Sequence, residues 1–302
     1  MTSIPPPGLD EPDPPGRPAA QGASAAHGTR RSGAAAWPPW TSLAALFAGL
    51  FATLVGSAIV AVASGTSGSL EDPPPGVGIA LTLFQNLALV GAALLFARLA
   101  GRPSAADFGL RRPPLRRAIG LLVAVWVGFY VLSALWVLAL SIDERQELPD
   151  RLGADGSTLN VLAVVVLITV IVPLGEELFF RGYFFGALRN WRGAWPAAIG
   201  TGAVFGLIHV GSAPVGLLAP LAIFGFGLCL LYHYSGSLYP CIALHALNNS
   251  LALGVGLEWT WQIPVTMVGS VVATLAIASQ LARVLGARPG AATVPAAQDV
   301  SQ

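Results

Sequence analysis

Two adjacent carboxylates and two histidines draw attention because they lie in segments that are otherwise apolar. Glu176 and Glu177 occur in the motif GEELFFRG (175–182), and His209 and His245 follow in later apolar stretches. Charged side chains inside a membrane are costly unless they are paired or hydrated, and they usually mark functional sites. A carboxylate next to imidazoles can activate a water molecule by general base catalysis. The residue types therefore indicate hydrolysis.

Helical spacing separates the two carboxylates. Glu177 and Arg181 are four residues apart, so they share a helix face and can form an ion pair. Glu176 lies about 100° round the helix from Glu177 and is left without that partner. A purely structural salt-bridged cluster that joins helices is an alternative, but two acids and one base would leave a net negative charge. The spacing favours Glu176 as the general base.

Two further motifs follow in sequence order, Phe205-x-x-x-His209 and His245-x-x-x-Asn249. The four-residue spacing lets the Phe205 ring pack on the imidazole of His209, and it brings Asn249 to the face of His245. Asn248, at three residues, reaches the same face, so the choice between the two amides stays open. Side chains of these types can stabilise an oxyanion. Helix rise from the turn near 190–193 puts Glu176 and His209 at similar depths, roughly 21 and 24 Å away.

Other hydrolase designs fit the sequence less well. There is no HExxH motif of a zinc protease, no GxSxG nucleophile turn in an apolar segment, and no Asp in any of these segments. Cys229 and Cys241 lie in apolar runs without a neighbouring histidine at motif spacing. On ligand types alone, a metal site made of one Glu and two His remains open.

The elements that must position these residues are membrane helices. Of 302 residues, 54% are hydrophobic and only 10% are charged, whereas soluble domains carry about 25% charged residues. The mean hydropathy is +0.68. This composition excludes a soluble enzyme of ordinary surface, a nucleic-acid binder with a basic face and a disordered protein. We predict an all-α polytopic membrane protein.

About eight transmembrane helices are predicted from apolar runs of about 20 residues. They are Leu43–Ser64, Val77–Ala97, Ala118–Ser141, Leu159–Leu188, Trp195–Val210, Val215–Tyr234, Leu238–Leu257 and Gln262–Leu285. Together they form a helical domain over 39–286, flanked by disordered tails at 1–38 and 287–302 whose composition is rich in Pro, Gly and Ala. Pro173 could kink the long fourth helix.

Arginine asymmetry predicts the orientation of the protein. With eight spans, most arginines fall on one side, including six between the second and third spans at positions 98–117. Loops on the other side carry mainly Asp and Glu. The positive-inside rule then places both termini in the cytoplasm. All 16 basic residues are Arg, which with the abundance of Ala, Gly and Pro suggests a bacterial cell membrane.

The three motifs, in this order and in consecutive membrane helices, resemble those of the CAAX-processing and bacteriocin-processing (CPBP) family of intramembrane glutamic endopeptidases. This family is also called Abi or CAAX prenyl protease-like. The resemblance covers about 159–257. It implies that Glu176 is the general base, aided by His209, that His245 and Asn249 form the oxyanion site, and that Glu177 and Arg181 support them. It also implies no metal and no cofactor.

The predicted function is therefore an intramembrane endopeptidase that acts on a peptide or protein associated with the bilayer, without nucleic acid. The resemblance leaves the substrate open: eukaryotic members remove three residues from prenylated proteins, whereas some bacterial members are linked to bacteriocin maturation or immunity. One alternative is a non-catalytic membrane scaffold, chaperone or immunity-type binding protein that uses the same polar cavity. Another is a proton-coupled transporter with Glu176 and His209 as a relay.

Overall fold

The computed structural model describes residues 37–65, 74–143, 152–153 and 156–286, and these residues form eight helices. The helices are α1 Trp40–Ser64, α2 Pro75–Ala100, α3 Leu115–Leu140, α4 Thr158–Arg192, α5 Ala194–Leu207, α6 Leu218–Ser235, α7 Tyr239–Gly256 and α8 Gln262–Val284. A short 3₁₀ turn, Val215–Leu217, precedes α6. The described residues contain no β-strand, only one isolated bridge between Val210 and Ala213.

The all-α membrane fold is confirmed, but a count of eight membrane spans is not. Six of the described helices are long and apolar enough to cross a membrane, namely α1, α2, α3, α4, α8 and, with its 3₁₀ turn, α6. Helix α5 has only 14 residues. Helix α7 has 18, but one histidine and two asparagines make it less apolar. Each predicted segment thus coincides with a helix, and the two that fall short lie next to the polar motifs.

Helix α4 alternates between α-helical and π-helical turns. Its segments are Thr158–Val166 (α), Leu167–Ile171 (π), Val172–Glu177 (α), Leu178–Phe184 (π) and Phe185–Arg192 (α). The first π segment ends two residues before Pro173. In an α-helix the ring of this proline would clash with the carbonyl four residues earlier, and proline has no N–H to donate. The wider π turn accommodates this residue without ending the helix. Next to Pro173, where the sequence predicted a kink, the helix therefore has a π segment.

A hairpin of α4 and α5 leads into a tight α5–α6 pair. Gly193 alone separates α4 from α5, and its φ of +81° is a conformation that favours glycine. On α5, Gly202 and Gly206 face α6 so closely that an added Cβ would lie 2.7 Å from the Ala222 carbonyl and 2.6 Å from the Leu218 carbonyl. This is the small-residue packing by which membrane helices approach each other. It fixes the end of α5, where His209 follows.

The arginine-rich α2–α3 connection packs on the α6–α7 turn. The Leu238 N–H donates to the Gly109 carbonyl at 2.8 Å, and the Ser237 hydroxyl donates to the Arg111 carbonyl at 2.6 Å. Trp37 also belongs to this packed end, with 5% of its surface exposed and its ring against Phe108 and Tyr183. The packed chain thus includes Trp37, within the tail predicted for 1–38. The rest of that tail, up to residue 36, and the tail at 287–302 lie outside the described residues.

Candidate active site

The two carboxylates of the first motif lie in the short α segment between the two π segments of α4. Glu176 is 6% exposed and Glu177 is fully buried. Gly175, directly before them, packs against Asn86 of α2, whose amide oxygen would lie 2.7 Å from an added Cβ. A carboxylate in such surroundings loses its hydration and must find partners within the protein. The two residues do this differently.

Glu177 forms the ion pair that its spacing from Arg181 predicts. Arg181 Nη1 donates to Glu177 Oε1 at 2.8 Å, and both side chains are fully buried. Arg181 Nη2 donates to the Gly225 carbonyl on α6 at 2.9 Å, and the guanidinium carbon lies 4.6 Å from the centre of the Phe205 ring. A buried ion pair depends on such additional contacts to offset its desolvation. The pair therefore ties α4 to α5 and α6.

His245 connects the two carboxylates. Its Nδ1 lies 2.8 Å from Glu177 Oε1, which also receives the Arg181 bond, and its Nε2 lies 3.8 Å from Glu176 Oε2. The first distance is a hydrogen bond and the second is too long for one. Glu176 Oε2 is buried and has no hydrogen-bond partner among the described residues. The ion pair of Arg181 is thus with Glu177, as the spacing predicts, and Glu176 faces a ring nitrogen of His245 across a gap.

His209 lies in the turn after α5, half-buried, and contacts the same cluster through Phe205. Its Nδ1 lies 2.7 Å from the Phe205 carbonyl. Because a carbonyl can only accept, Nδ1 must carry the hydrogen, so in the neutral ring Nε2 presents a lone pair. The Phe205 ring centre lies 5.0 Å from that of His209 and 6.0 Å from that of His245. Phe205 therefore separates and supports the two histidines.

The two asparagines of α7 point to different partners, although both were predicted to approach His245. Asn249 Nδ2 donates to the Ile168 carbonyl of α4 at 3.0 Å and is partly buried. Asn248 Oδ1 instead accepts from the Tyr130 hydroxyl of α3 at 3.0 Å in an exposed setting. Asn249 thus joins α7 to the helix that carries both carboxylates, and Asn248 joins α7 to a peripheral helix.

Three groups at the cluster were missed in the sequence. The carbonyls of Ile168 and Gly225 hold Asn249 and Arg181, and main-chain groups give no residue-type signal. Asn86 is 5% exposed and donates from Nδ2 to the Thr82 carbonyl at 2.9 Å, and its Oδ1 lies against Gly175. Asn86 could have been found, because an amide in the apolar run of α2 is as unusual as a histidine there.

The described residues include no group of three or more His, Cys, Asp or Glu side chains arranged to hold a metal ion. The cluster instead comprises one carboxylate with two donors, one carboxylate with none at hydrogen-bond distance, and two imidazoles in contact with one phenyl ring. Such a set can take up a proton and present hydrogen-bond donors in a site of low polarity. It defines an α-helical integral membrane protein with a buried acid–base cluster.

The comparisons agree with the motifs. Residues 158–251 match the family described as type II CAAX prenyl endopeptidase Rce1-like. An uncharacterized 24.3 kDa protein of Escherichia coli is 28% identical over 141 residues, which cover 46% of this chain and 62% of that protein. UPF0177 protein YxdF of Lactococcus lactis subsp. lactis (strain IL1403) is 30% identical over 91 residues, which cover 30% of this chain and 49% of that protein. No solved structure matches significantly.

The resemblance recognised from the three motifs is therefore confirmed over 158–251, a segment that contains every predicted site residue. The aligned regions span 62% and 49% of the two relatives, so neither is matched over its full length.

Proposed function

We propose that this protein is an intramembrane endopeptidase in which Glu176, aided by His209, activates water. The observation that carries the proposal is the buried Glu176 Oε2, which has no hydrogen-bond partner among the described residues and lies 3.8 Å from His245 Nε2. Glu177 Oε2 is also buried without a partner, but Glu177 Oε1 lies within hydrogen-bond distance of both Arg181 and His245, so the other charged groups of the cluster are paired. A carboxylate left free in this way can accept a proton from water.

The reaction would proceed by addition of water to a peptide carbonyl. Glu176 takes one proton from a water molecule that also donates to His209 Nε2, and the water oxygen forms a bond to the carbonyl carbon. The Glu176 proton then passes to the peptide nitrogen as the C–N bond breaks, which leaves an amine and a carboxylic acid. The acid gives the second proton of the water to His209 Nε2 and becomes a carboxylate. This use of one group as base and then as acid is usual in hydrolysis.

The oxyanion would be stabilised by His245 Nε2 and the amide of Asn249. His245 Nδ1 is already bonded to Glu177, so Nε2 can donate only when the ring carries both hydrogens. The cluster then has two positive groups, the His245 imidazolium and Arg181, and two carboxylates. Its net charge is zero, which lowers the free-energy cost of burying it. Glu177 and Arg181 would thus orient His245 and balance its charge, which gives them the supporting role expected from the sequence.

The substrate would be a peptide or protein that reaches the cluster from the bilayer, because the described helices around it present apolar surfaces. Glu176 and His209 supply the base, so the proposed reaction needs no metal or cofactor. The arginines of the α2–α3 connection, at the end of the molecule where Leu238 bonds to Gly109, support a cytoplasmic location for this end and for both termini. A prenyl group on the substrate is not required by this arrangement.

The experiment that tests the proposal compares the N- and C-termini of membrane proteins in the native host. Wild type and Glu176→Gln are expressed at matched levels in a deletion strain, and Glu258→Gln serves as the control because Glu258 lies in the α7–α8 turn. We expect new termini with wild type and the control, and a decrease of about 10² to 10⁴-fold in their formation with Glu176→Gln.

The same comparison discriminates the alternatives. Identical termini in all three strains, together with rescue of the deletion phenotype by Glu176→Gln, would contradict proteolysis. This outcome would favour a scaffold or immunity-type binding protein. Termini that differ with wild type would also name the substrate, since each new terminus defines a cleaved bond.

A further inference from the structure

The contact between Asn249 and α4 depends on one main-chain carbonyl. Asn249 Nδ2 donates to the Ile168 carbonyl at 3.0 Å, across a separation of 81 residues in the chain. In a regular α-helix this carbonyl would accept the N–H of the residue four positions later and would be occupied. A free carbonyl inside a membrane helix therefore needs an explanation.

The π segment Leu167–Ile171 and Pro173 together leave this carbonyl free. Val172 would be the α-helical donor to Ile168, but its N–H donates to the Leu167 carbonyl, five residues back. The donor at π spacing would be residue 173, which is proline and has no N–H. The main-chain donors at α-helical and at π-helical spacing are thus both unavailable to the Ile168 carbonyl. The Val172 N–H donates to Leu167, and Pro173 has no N–H.

The neighbouring hydroxyl on α4 does not replace these main-chain donors. Thr169, the buried hydroxyl adjacent in sequence, donates to the Val165 carbonyl of its own helix at 2.8 Å. The Ile168 carbonyl is therefore available to a donor from another helix, and Asn249 is the donor that the structure provides.

We infer that Pro173 and the π segment are a positioning device that orients the Asn249 amide for oxyanion stabilisation, an inference that rests on the proposed function. One hydrogen of Nδ2 is held by the Ile168 carbonyl, and the second, fixed in the same plane, is left for a substrate oxygen. Asn249 is thus held on the helix that carries Glu176, so donor and base move together. Pro173 acts through Asn249 and touches no substrate.

Of the two asparagines, only Asn249 is bound to the helix that carries the carboxylates. Asn248 is bound to the hydroxyl of Tyr130 on α3 and has no tie to the helix that carries the carboxylates. A donor that must be placed to within a fraction of an ångström needs a rigid support. Asn249 has that support from the Ile168 carbonyl, whereas the hydrogen bond of Asn248 to Tyr130 is exposed.

The test uses Pro173→Ala in the full-length protein in detergent micelles. If the segment stays π-helical, the new N–H at 173 competes with Asn249 for the Ile168 carbonyl. If the segment becomes α-helical, the Val172 N–H competes for it instead. Asparagine labelled with ¹⁵N gives side-chain amide signals in NMR spectra, and Asn249→Ser and Asn248→Ser assign two pairs of them. We expect Pro173→Ala to shift the Asn249 pair and to leave the Asn248 pair in place.

Pro240→Ala is the matched control. Pro240 is also buried, and it lies in the first turn of α7, where a new N–H lacks an intrahelical acceptor. It should leave both asparagine pairs in place. Unchanged Asn249 signals in Pro173→Ala would overturn the inference, and this readout does not depend on substrate or catalysis.

Turnover of the substrate named by the comparison of termini gives the second readout. We expect Pro173→Ala to lower kcat about tenfold with KM unchanged, less than the 10² to 10³-fold known for loss of an oxyanion donor. Asn249→Ser combined with Pro173→Ala should be no slower than Asn249→Ser alone, since both act through one amide. Multiplied losses, or a changed KM with unchanged kcat, would overturn the positioning role.

Failure of the proposed function looks different. In that case wild type and Glu176→Gln produce the same termini. The role of Pro173 in oxyanion stabilisation is then contradicted together with the proteolytic activity, even if the amide signals of Asn249 shift in Pro173→Ala. If wild type cleaves and Pro173→Ala cleaves equally well, the proposed function stands and only this inference is overturned.

Discussion

Helices α3 and α4 are both long and apolar, yet they are used in opposite ways. Only Ala118 of α3 is buried, and its other side chains are half-buried or exposed. In α4, every residue of the second π segment, 178–184, is buried, and so are both carboxylates before it. Hydropathy therefore identifies both helices as membrane spans without revealing which one lies at the centre of the molecule.

Their polar contacts differ in the same way. The hydroxyl of Tyr130 and the indole N–H of Trp136, both on α3, bond to Asn248 and to the Gly216 carbonyl in exposed settings. Arg181 of α4 is fully buried between a carboxylate, a carbonyl and an aromatic ring. Removal of a contact should therefore cost much in α4 and little in α3.

The largest expected effect on stability follows from Arg181→Met. It leaves the charge of Glu177 buried with His245 as its one remaining ionic partner, a loss that typically costs about 3 to 5 kcal/mol. The free energy of unfolding, measured in mixed micelles, should fall by this amount. Glu177→Gln combined with Arg181→Met removes both charges and should lose less. A single variant as stable as wild type would mean that the pair does not hold α4 in place.

A smaller effect is expected where α6 packs on the cluster and on α3. An added methyl in Gly225→Ala would lie 2.8 Å from Phe205 Cβ, and in Gly227→Ala it would lie 2.9 Å from Val125 Cγ1 of α3. Overpacking costs about 1 to 3 kcal/mol where neighbours cannot move. Phe205 is fixed between Arg181 and two histidines, whereas the peripheral α3 can shift. Gly225→Ala should therefore be the more destabilising of the two in the same unfolding measurement, and equal losses would contradict the comparison.

The sequence predicts the contacts within one helix better than the contacts between helices. The spacings of Glu177 with Arg181 and of Phe205 with His209 predict pairs that are present, because neighbours at four residues share a face. The hydrogen bond from His245 to Glu177 joins residues 68 positions apart and depends on how α4 and α7 pack. No regular helical wheel gives the Asn249 contact, since the carbonyl it uses is freed by a π turn.

The number of membrane spans shows a related limit. Helix α7 carries His245 and both asparagines, and these three side chains make it too polar to qualify as a span. Helix α5 ends after 14 residues, and His209 follows in the turn. The prediction of eight spans counted both segments, although the fifth is short, and neither of these helices is both long and apolar enough to qualify.

The smallest expected effect belongs to α3. Tyr130→Phe removes the hydroxyl that donates to Asn248 and keeps the aromatic ring in contact with Phe129. Hydrogen bonds between membrane helices contribute about 0.6 kcal/mol on average, and this one is exposed, so the free energy of unfolding should fall by no more than that. Val131→Ala on the exposed side of α3 controls for the general loss of apolar surface. A loss above about 2 kcal/mol, well beyond the range measured for such bonds, would show that α3 is held as firmly as α4. The difference between the peripheral α3 and the central α4 would then be one of burial only, because their polar contacts would contribute equally to stability.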